Sequence, residues 1–247
     1  MAWFSRLLAD IPGVRHAFLD VHESSVFDKS RIVDIKQVHG TDILNFTTTP
    51  HSRPHVDGVF TSVSGQQIGI VTADCLPLLM ASRDGCFVAS VHAGWQGTAQ
   101  GIIQQSVKRF TDAGIDAADI VVAIGPHIRP CCYEVSSSFL DVLLATPSAE
   151  QVRQHQQKLF LNVPRNSNAH SARAREENSL WFDLPAFCQV HLQVAGIRSA
   201  NVDWLEKCTY CAPKELGSYR RRTHFPATKT QQVSVIVRGS ECSGLST

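Results

Sequence analysis

The 247-residue chain has no apolar run long enough to span a bilayer, and no basic start leading into an apolar signal core. A soluble chain in the cytoplasm, with reduced thiols, is the expectation. It has no excess of charge of either sign: 23 Lys and Arg against 22 Asp and Glu leave a net +1, which gives no electrostatic reason to expect nucleic acid or an anionic membrane as partner. The only dense basic run is Arg220-Arg221-Arg222, and three adjacent charges read as a solvated edge. No internal repeat and no low-complexity block occurs. Among eleven histidines there is no His-x-His pair, which disfavours a multicopper cluster. Eight cysteines in so long a chain do not read as the disulfide framework of a small secreted protein. Cys208 and Cys211 form a C-x-x-C with no second such pair to complete a zinc ribbon, and they lack a thioredoxin-like setting. The adjacent Cys131 and Cys132 read as structural.

The chain does hold three short segments that end or begin apolar stretches: Gln37-Val38-His39-Gly40, Thr72-Ala73-Asp74-Cys75-Leu76-Pro77 and Val91-His92-Ala93-Gly94-Trp95. One thiolate and two imidazoles are the ligand set of an open zinc site, with a fourth position left for water or a substrate oxygen. The bland alternative is a buried small hydrophobe at Cys75 and ordinary core or turn histidines at His39 and His92. Small residues (Gly40, Ala73, Ala93, Gly94, Gly97) crowd the same points and let backbone approach a ligand closely.

Spacing supports the cluster. Leu76 to Ser82 and Cys86 to Val91 read as strands joined at Arg83-Asp84-Gly85, a hairpin signal. The midpoint of positions 75 and 92 falls within about a residue of that turn, so Cys75 and His92 are expected nearly opposite each other, where Cβ atoms lie roughly 4.5–5.5 Å apart. His39 then comes from a separate segment. Further strand-like runs cover Ile68 to Thr72, Ile120 to Ile124 and Val233 to Val237. A helix over Thr98 to Ala113 places Ile103, Val107 and Phe110 on one face, with Gly114 as stop. Asp183 caps a second helix through Ala195, with Pro185 in its first turn, Phe187 and Val194 inward and Gly196 ending it. Residues 146–179, rich in Gln, Asn, Ser, Ala and charge, read as a helix followed by a polar excursion. The order of elements suggests α+β, and 43% hydrophobic residues suffice for one large core, taken here as a single domain over residues 1–247.

The three segments above, together with Gln96-Gly97, Ile124-Gly125-Pro126-His127-Ile128, Cys132-Tyr133-Glu134-Val135 and Ser218-Tyr219-Arg220-Arg221, resemble the YfiH family. That family is also called the laccase-domain, polyphenol oxidase or peptidoglycan editing factor family. The resemblance runs in order from about residue 36 onward. It implies a layered α/β/β/α sandwich, zinc held by His39, Cys75 and His92, and substrate contacts at Gln37, Tyr219, Arg220 and Arg221. The implied activity is that of a zinc-dependent purine nucleoside enzyme. Its substrates would be a purine nucleoside and phosphate, through phosphorolysis of adenosine, inosine, guanosine or methylthioadenosine, together with adenosine deamination. Asp74 adjoins a ligand and is the nearest candidate for acid/base or supporting work, though a strand would turn it away from Cys75. A turn-capping carboxylate is its other reading.

Three departures stand out: Gln96 replaces the arginine of His-Ala-Gly-Trp-Arg-Gly, the stretch before the first His offers only Asp28 to Arg31 where a Gly-rich segment and an Asn-Arg pair are usual, and Arg222-Thr223 replaces an Asp-Gly. The missing arginine removes one group that would hold phosphate. The competing functions are a metal-independent thiol hydrolase or deamidase with Cys75 as nucleophile and His92 as base, and a hydrolase that edits wall precursors. Copper oxidation of phenols is disfavoured, because one two-His, one-Cys site cannot assemble a multicopper cluster.

Overall fold

The Leu76–Ser82 strand is buried at every position, and its apolar run explains why: both faces of its sheet are covered. Leu78 and Met80 point into one apolar cluster, Leu79 and Ala81 into another, and each such side chain contributes about 1.5–3 kcal/mol by leaving water. The computed structural model describes residues 1–163 and 179–240. A six-stranded sheet runs in the order Val202–Trp204, Ile120–Ile124, Leu76–Ser82, Val88–Ala93, Gly58–Thr61, Ile43–Phe46. A four-stranded antiparallel sheet runs Ala2–Trp3, Val14–Leu19, Gln232–Arg238, Gln67–Thr72.

The two sheets enclose one cluster, in which Leu79, Val88 and Val121 of the larger sheet meet Phe18, Ile68, Ile70 and Ile236 of the smaller. The larger sheet's other face carries the helices Ile102–Asp112 and Leu184–Val194, packed through Ile103, Val107, Phe110, Phe187 and Leu192. The smaller sheet's outer face is covered more thinly, by Phe27 just after the short Val21–Val26 helix, against Leu19, Val233 and Val235. Helices, sheet, sheet and helix are thus stacked in that order, an α+β architecture with α/β/β/α layering. A small third sheet pairs Phe160–Leu161, Leu180–Phe182 and Glu134–Val135.

Several local expectations need correction. The helix expected over Thr98 to Ala113 is two helices, Trp95–Gln100 and Ile102–Asp112, separated by Gly101 at φ 102°, a left-handed turn that glycine adopts without steric cost. Val194 is 57% exposed rather than inward, while Phe187 is fully buried; one residue at the end of the Leu184–Val194 helix has rotated past the apolar stripe. The hairpin turn takes in one more residue than expected. Ser82 N bonds Phe87 O, leaving Arg83 to Cys86 in the loop, and the ladder pairs Leu76 with Ala93 and Pro77 with His92. The polar excursion expected before residue 179 lies outside the described residues, although its leading helix is present as Ala149–Leu159. The all-thiol expectation is corrected as well: six described cysteines are free and Cys86 is disulfide-bonded.

Candidate metal centre and active-site cleft

The hairpin's open end sets two of the three candidate ligands. Cys75 directly precedes the Leu76–Ser82 strand, and His92 is the penultimate residue of Val88–Ala93. The register puts His92 opposite Pro77, so Cys75 is diagonal to His92 rather than opposite it. The slip moved both strands together by one residue, which preserves the shared face, and diagonal neighbours remain within side-chain reach. His39 arrives from the loop before Ile43–Phe46 in a left-handed conformation, φ 60°. Its Nε2 is 3.9 Å from Cys75 Sγ, and its ring meets the His92 ring at 4.7 Å between centroids. One ligand atom from each of His39, Cys75 and His92 lies within 4.8 Å of the others.

Asp57, which no motif in the sequence marks, organises this centre. Its carboxylate is fully buried and accepts hydrogen bonds from Val38 N at 3.1 Å, His39 N at 2.9 Å and Gly40 N at 2.6 Å, while His92 Nδ1 donates to it at 2.7 Å. Two consequences follow. The left-handed turn that presents His39 is held by three charge-assisted bonds, and His92 is fixed in the tautomer that leaves Nε2 free as a ligand, the usual role of a carboxylate behind a metal-binding imidazole. Burial works against the Asp57 charge, but the His92 ring and the Gly40 and Val38 amides outweigh it and hold its pKa below the ordinary aspartate value. The only sequence signal was an aspartate at the head of the apolar Gly58–Thr61 strand.

The metal-free charges are coupled. Burial raises the Cys75 thiol, yet His92 and His39 draw it down to about 7; burial lowers His92, yet Cys75 and Asp57 lift it to about 9. A thiolate–imidazolium pair backed by a carboxylate results. Glycine is required at position 94 for space alone, since its backbone is ordinary: a Cβ there would stand 3.0 Å from Cys75 Sγ and 3.2 Å from His39 Cδ2. Gly94→Ala is expected to displace both ligands and lower turnover by up to about 100-fold, the cost of a misplacement of about 1 Å, with little change in thermal midpoint. Steady-state kinetics beside calorimetry checks this; unchanged turnover would mean that the trio does not act.

The other expected site residues fall into two groups. Asp74, at φ 95°, does not face the ligands. Its carboxylate accepts from Thr209 Oγ1 at 2.5 Å and Arg220 N at 2.7 Å, with burial as the largest influence raising its pKa. It pins the Tyr219–His224 helix to the Cys75 turn, which makes it a positioning group. Gln37 lines the cleft, but its amide is committed to both backbone groups of Val71, at 2.8 and 2.9 Å, tying the His39 loop to the smaller sheet. Tyr219 and Arg220 line the cleft, with Arg220 stacked on Tyr133 at 5.2 Å. Arg221 turns away to the carbonyls of Thr209, Tyr210 and Leu216; Arg222 takes the place at the cleft wall.

The cleft has a volume of about 880 Å³ and contains His39, Cys75 and His92 together with Trp95, Gln96 and Tyr133. Six cations line it: Lys29, Lys36, Arg53, Arg220, Arg222 and Lys229, against Asp34 and the buried Asp74. No helix among the described residues is long and apolar enough to cross a membrane.

Comparison with known proteins agrees with this architecture. The family described as "multi-copper polyphenol oxidoreductase laccase" matches residues 12–238. A Rickettsia conorii protein named purine nucleoside phosphorylase is 30% identical over 210 residues, covering 85% of this chain and 79% of its own. Purine nucleoside phosphorylase YlmD of Geobacillus stearothermophilus is 31% identical over 205 residues, 79% and 69% of the two chains. The crystal structure of YlmD from Geobacillus stearothermophilus superposes with a TM-score of 0.73 at 24% identity, covering 96% of this chain and 94% of that one. Bacillus licheniformis YfiH gives 0.72 at 22% identity over 91% and 92%. With the match spanning nearly the whole described chain and the same fold recurring in its relatives, this chain belongs to the laccase-domain YfiH/YlmD family.

Proposed function

We propose that the protein is a zinc-dependent purine nucleoside enzyme, which cleaves adenosine, inosine, guanosine or methylthioadenosine with inorganic phosphate and also deaminates adenosine. The observation that carries this reading is the placing of the His39, Cys75 and His92 ligand trio inside a cleft lined by six cations. Relatives named purine nucleoside phosphorylase support the reaction class. The donor set suits one tetrahedral zinc: two imidazoles, one of them oriented from behind by Asp57, and a thiol already drawn toward its ionised form. When bound, zinc supplies Lewis acidity toward a substrate oxygen. His39 is exposed, so the trio opens onto the cleft and leaves a fourth position accessible.

The chain's own residues supply the rest. In phosphorolysis the bond from ribose C1′ to the purine nitrogen breaks and a bond from C1′ to a phosphate oxygen forms. The lysines and arginines raise the local concentration of phosphate and neutralise its charge as it approaches. They also answer the loss of an arginine at position 96, because Gln96 stands in a wall already rich in positive charge. Trp95, Tyr133 and Tyr219 offer flat faces for a purine. The cytoplasm is the compartment where both substrates are expected, with no role for nucleic acid or membrane.

Incubating the zinc-loaded protein with inosine and phosphate should yield hypoxanthine and ribose 1-phosphate, and omitting phosphate should stop both; adenosine should in addition release ammonia. Zinc-loaded protein that releases neither base nor ammonia from any of the four nucleosides overturns the reading. One observation favours a second reading: in the metal-free state Cys75, His92 and Asp57 line up as thiolate, imidazolium and carboxylate, the arrangement of a thiol hydrolase. Activity that survives chelation but not alkylation would select it, and amino-acid release from a muropeptide would mark the wall-precursor variant. The copper reading stays disfavoured, because the two metal-competent clusters among the described residues are this trio and an all-cysteine group.

A further inference from the structure

Four thiols that play no part in the cleft chemistry converge at one point. Cys131 and Cys132 lie in the turn beyond the Ile120–Ile124 strand, Cys208 and Cys211 in the turn beyond Val202–Trp204, and their sulfurs all lie within 4.8 Å of one another. The sequence hid this set, because the partner of Cys208-x-x-Cys211 is an adjacent pair rather than a second C-x-x-C. Cys132 Sγ is 3.3 Å and Cys131 Sγ 3.7 Å from Cys211 Sγ. A disulfide needs about 2.05 Å, whereas four sulfurs each 2.3 Å from one ion stand about 3.8 Å apart at the edges of a tetrahedron. The spacing is that of ligands around a single ion and is too tight to surround a multi-iron cluster.

Burial agrees with the distances. Cys131, Cys132 and Cys208 are only 8–9% exposed, and Cys211 closes the group from the surface. The strands beside it run parallel, and the two turns are already joined by Thr209 N to His127 O at 3.0 Å and His127 N to Lys207 O at 3.2 Å. Thr209, between the two later cysteines, reaches Asp74 beside Cys75, and Tyr133, next to Cys132, lines the cleft.

We propose that Cys131, Cys132, Cys208 and Cys211 form a second metal site that takes one zinc ion and clamps together the two turns bordering the cleft. Four sulfur ligands leave no open position, so the site is structural. Zinc uptake forms four metal–sulfur bonds and sends the thiol protons to solvent, with no change in oxidation state. The site stands apart from the nucleoside reading, and its failure is separately visible.

Metal analysis of the full-length protein by plasma mass spectrometry is expected to give two zinc ions per chain. His39→Ala/Cys75→Ser should retain one, Cys208→Ser/Cys211→Ser should retain the other, and zinc-edge absorption on the first variant should show a shell of sulfur alone at about 2.3 Å. If the second variant does not fold, the absorption spectrum of the first still decides. One zinc per wild-type chain with none in His39→Ala/Cys75→Ser, iron in place of zinc, or a disulfide among these four cysteines on non-reducing peptide mapping would each overturn the proposal.

Discussion

Asp57→Ala is expected to destabilise the metal-free protein by about 3–5 kcal/mol and to weaken zinc binding at the cleft about 10–100-fold. The buried carboxylate collects three backbone N–H groups and the His92 ring. Its removal leaves four donors without their acceptor, each costing about 1–3 kcal/mol when dry. The total is held down because Val38 and His39 border solvent, where water replaces part of what is lost. His92, at 4% exposure, has no such recourse, and it is then free to rotate or to change tautomer. Asp57→Asn separates the two effects: it keeps the shape and one acceptor oxygen but offers no charge to the turn.

Urea titration of the metal-free protein and zinc competition against a chromophoric chelator measure the two losses. An alanine variant within about 1 kcal/mol of wild type, the worth of one ordinary hydrogen bond, with unchanged zinc affinity, would show that the carboxylate does not hold this centre together. The pH dependence carries its own sign. Because the folded pKa of Asp57 is depressed, its contribution is present above the ordinary aspartate pKa and disappears as pH falls through the lower folded value. The wild type should therefore lose stability on that acid limb more steeply than Asp57→Ala.

What the sequence revealed of this centre, and what it concealed, divides along chemical lines. Cys75 and His92 were legible because a hairpin converts sequence symmetry about a turn into spatial proximity, and an error of one residue in the turn leaves the shared face intact. His39 was legible by residue type and by family resemblance, its contact with the others being long-range. Asp57 was invisible for a plain reason: its partners are the backbone N–H groups of residues 38–40, which have no signature in side-chain identity. Arg221 and Gln37 failed in the opposite direction, since each carries a polar group that looked available for substrate and is instead bonded to backbone carbonyls and amides nearby. The layered fold was read from family resemblance; apolar runs such as Leu76–Ser82 gave individual strands but not which two sheets they join, because long-range pairing leaves little trace in local pattern. Gly101 split an amphipathic period that otherwise runs unbroken from Trp95 to Asp112.

Cys75→Ser is expected to lower nucleoside cleavage by about three orders of magnitude, the several kcal/mol that a metal contributes to stabilising charge in a transition state, and to abolish zinc binding at the cleft while leaving the fold intact. A serine hydroxyl is somewhat smaller than the thiol and does not ionise near neutral pH, so the set falls from three ligands to two. The neighbouring glycine leaves ample room for the substitution, and no packing term opposes it. Global stability should therefore move little, in contrast with Asp57→Ala, whose effect is on stability and affinity together. The same variant separates the chemistries that remain in contention. On the zinc reading, chelation of the wild type mimics the substitution, added zinc restores activity, and bound zinc shields Cys75 from iodoacetamide. On the thiol reading, chelation leaves activity untouched while alkylation removes it. Circular dichroism and thermal melting establish that the serine protein is folded, and metal content with phosphate-dependent base release then measures the loss. A serine variant that keeps wild-type turnover would remove both readings at once, because each of them places the Cys75 sulfur at the reacting centre.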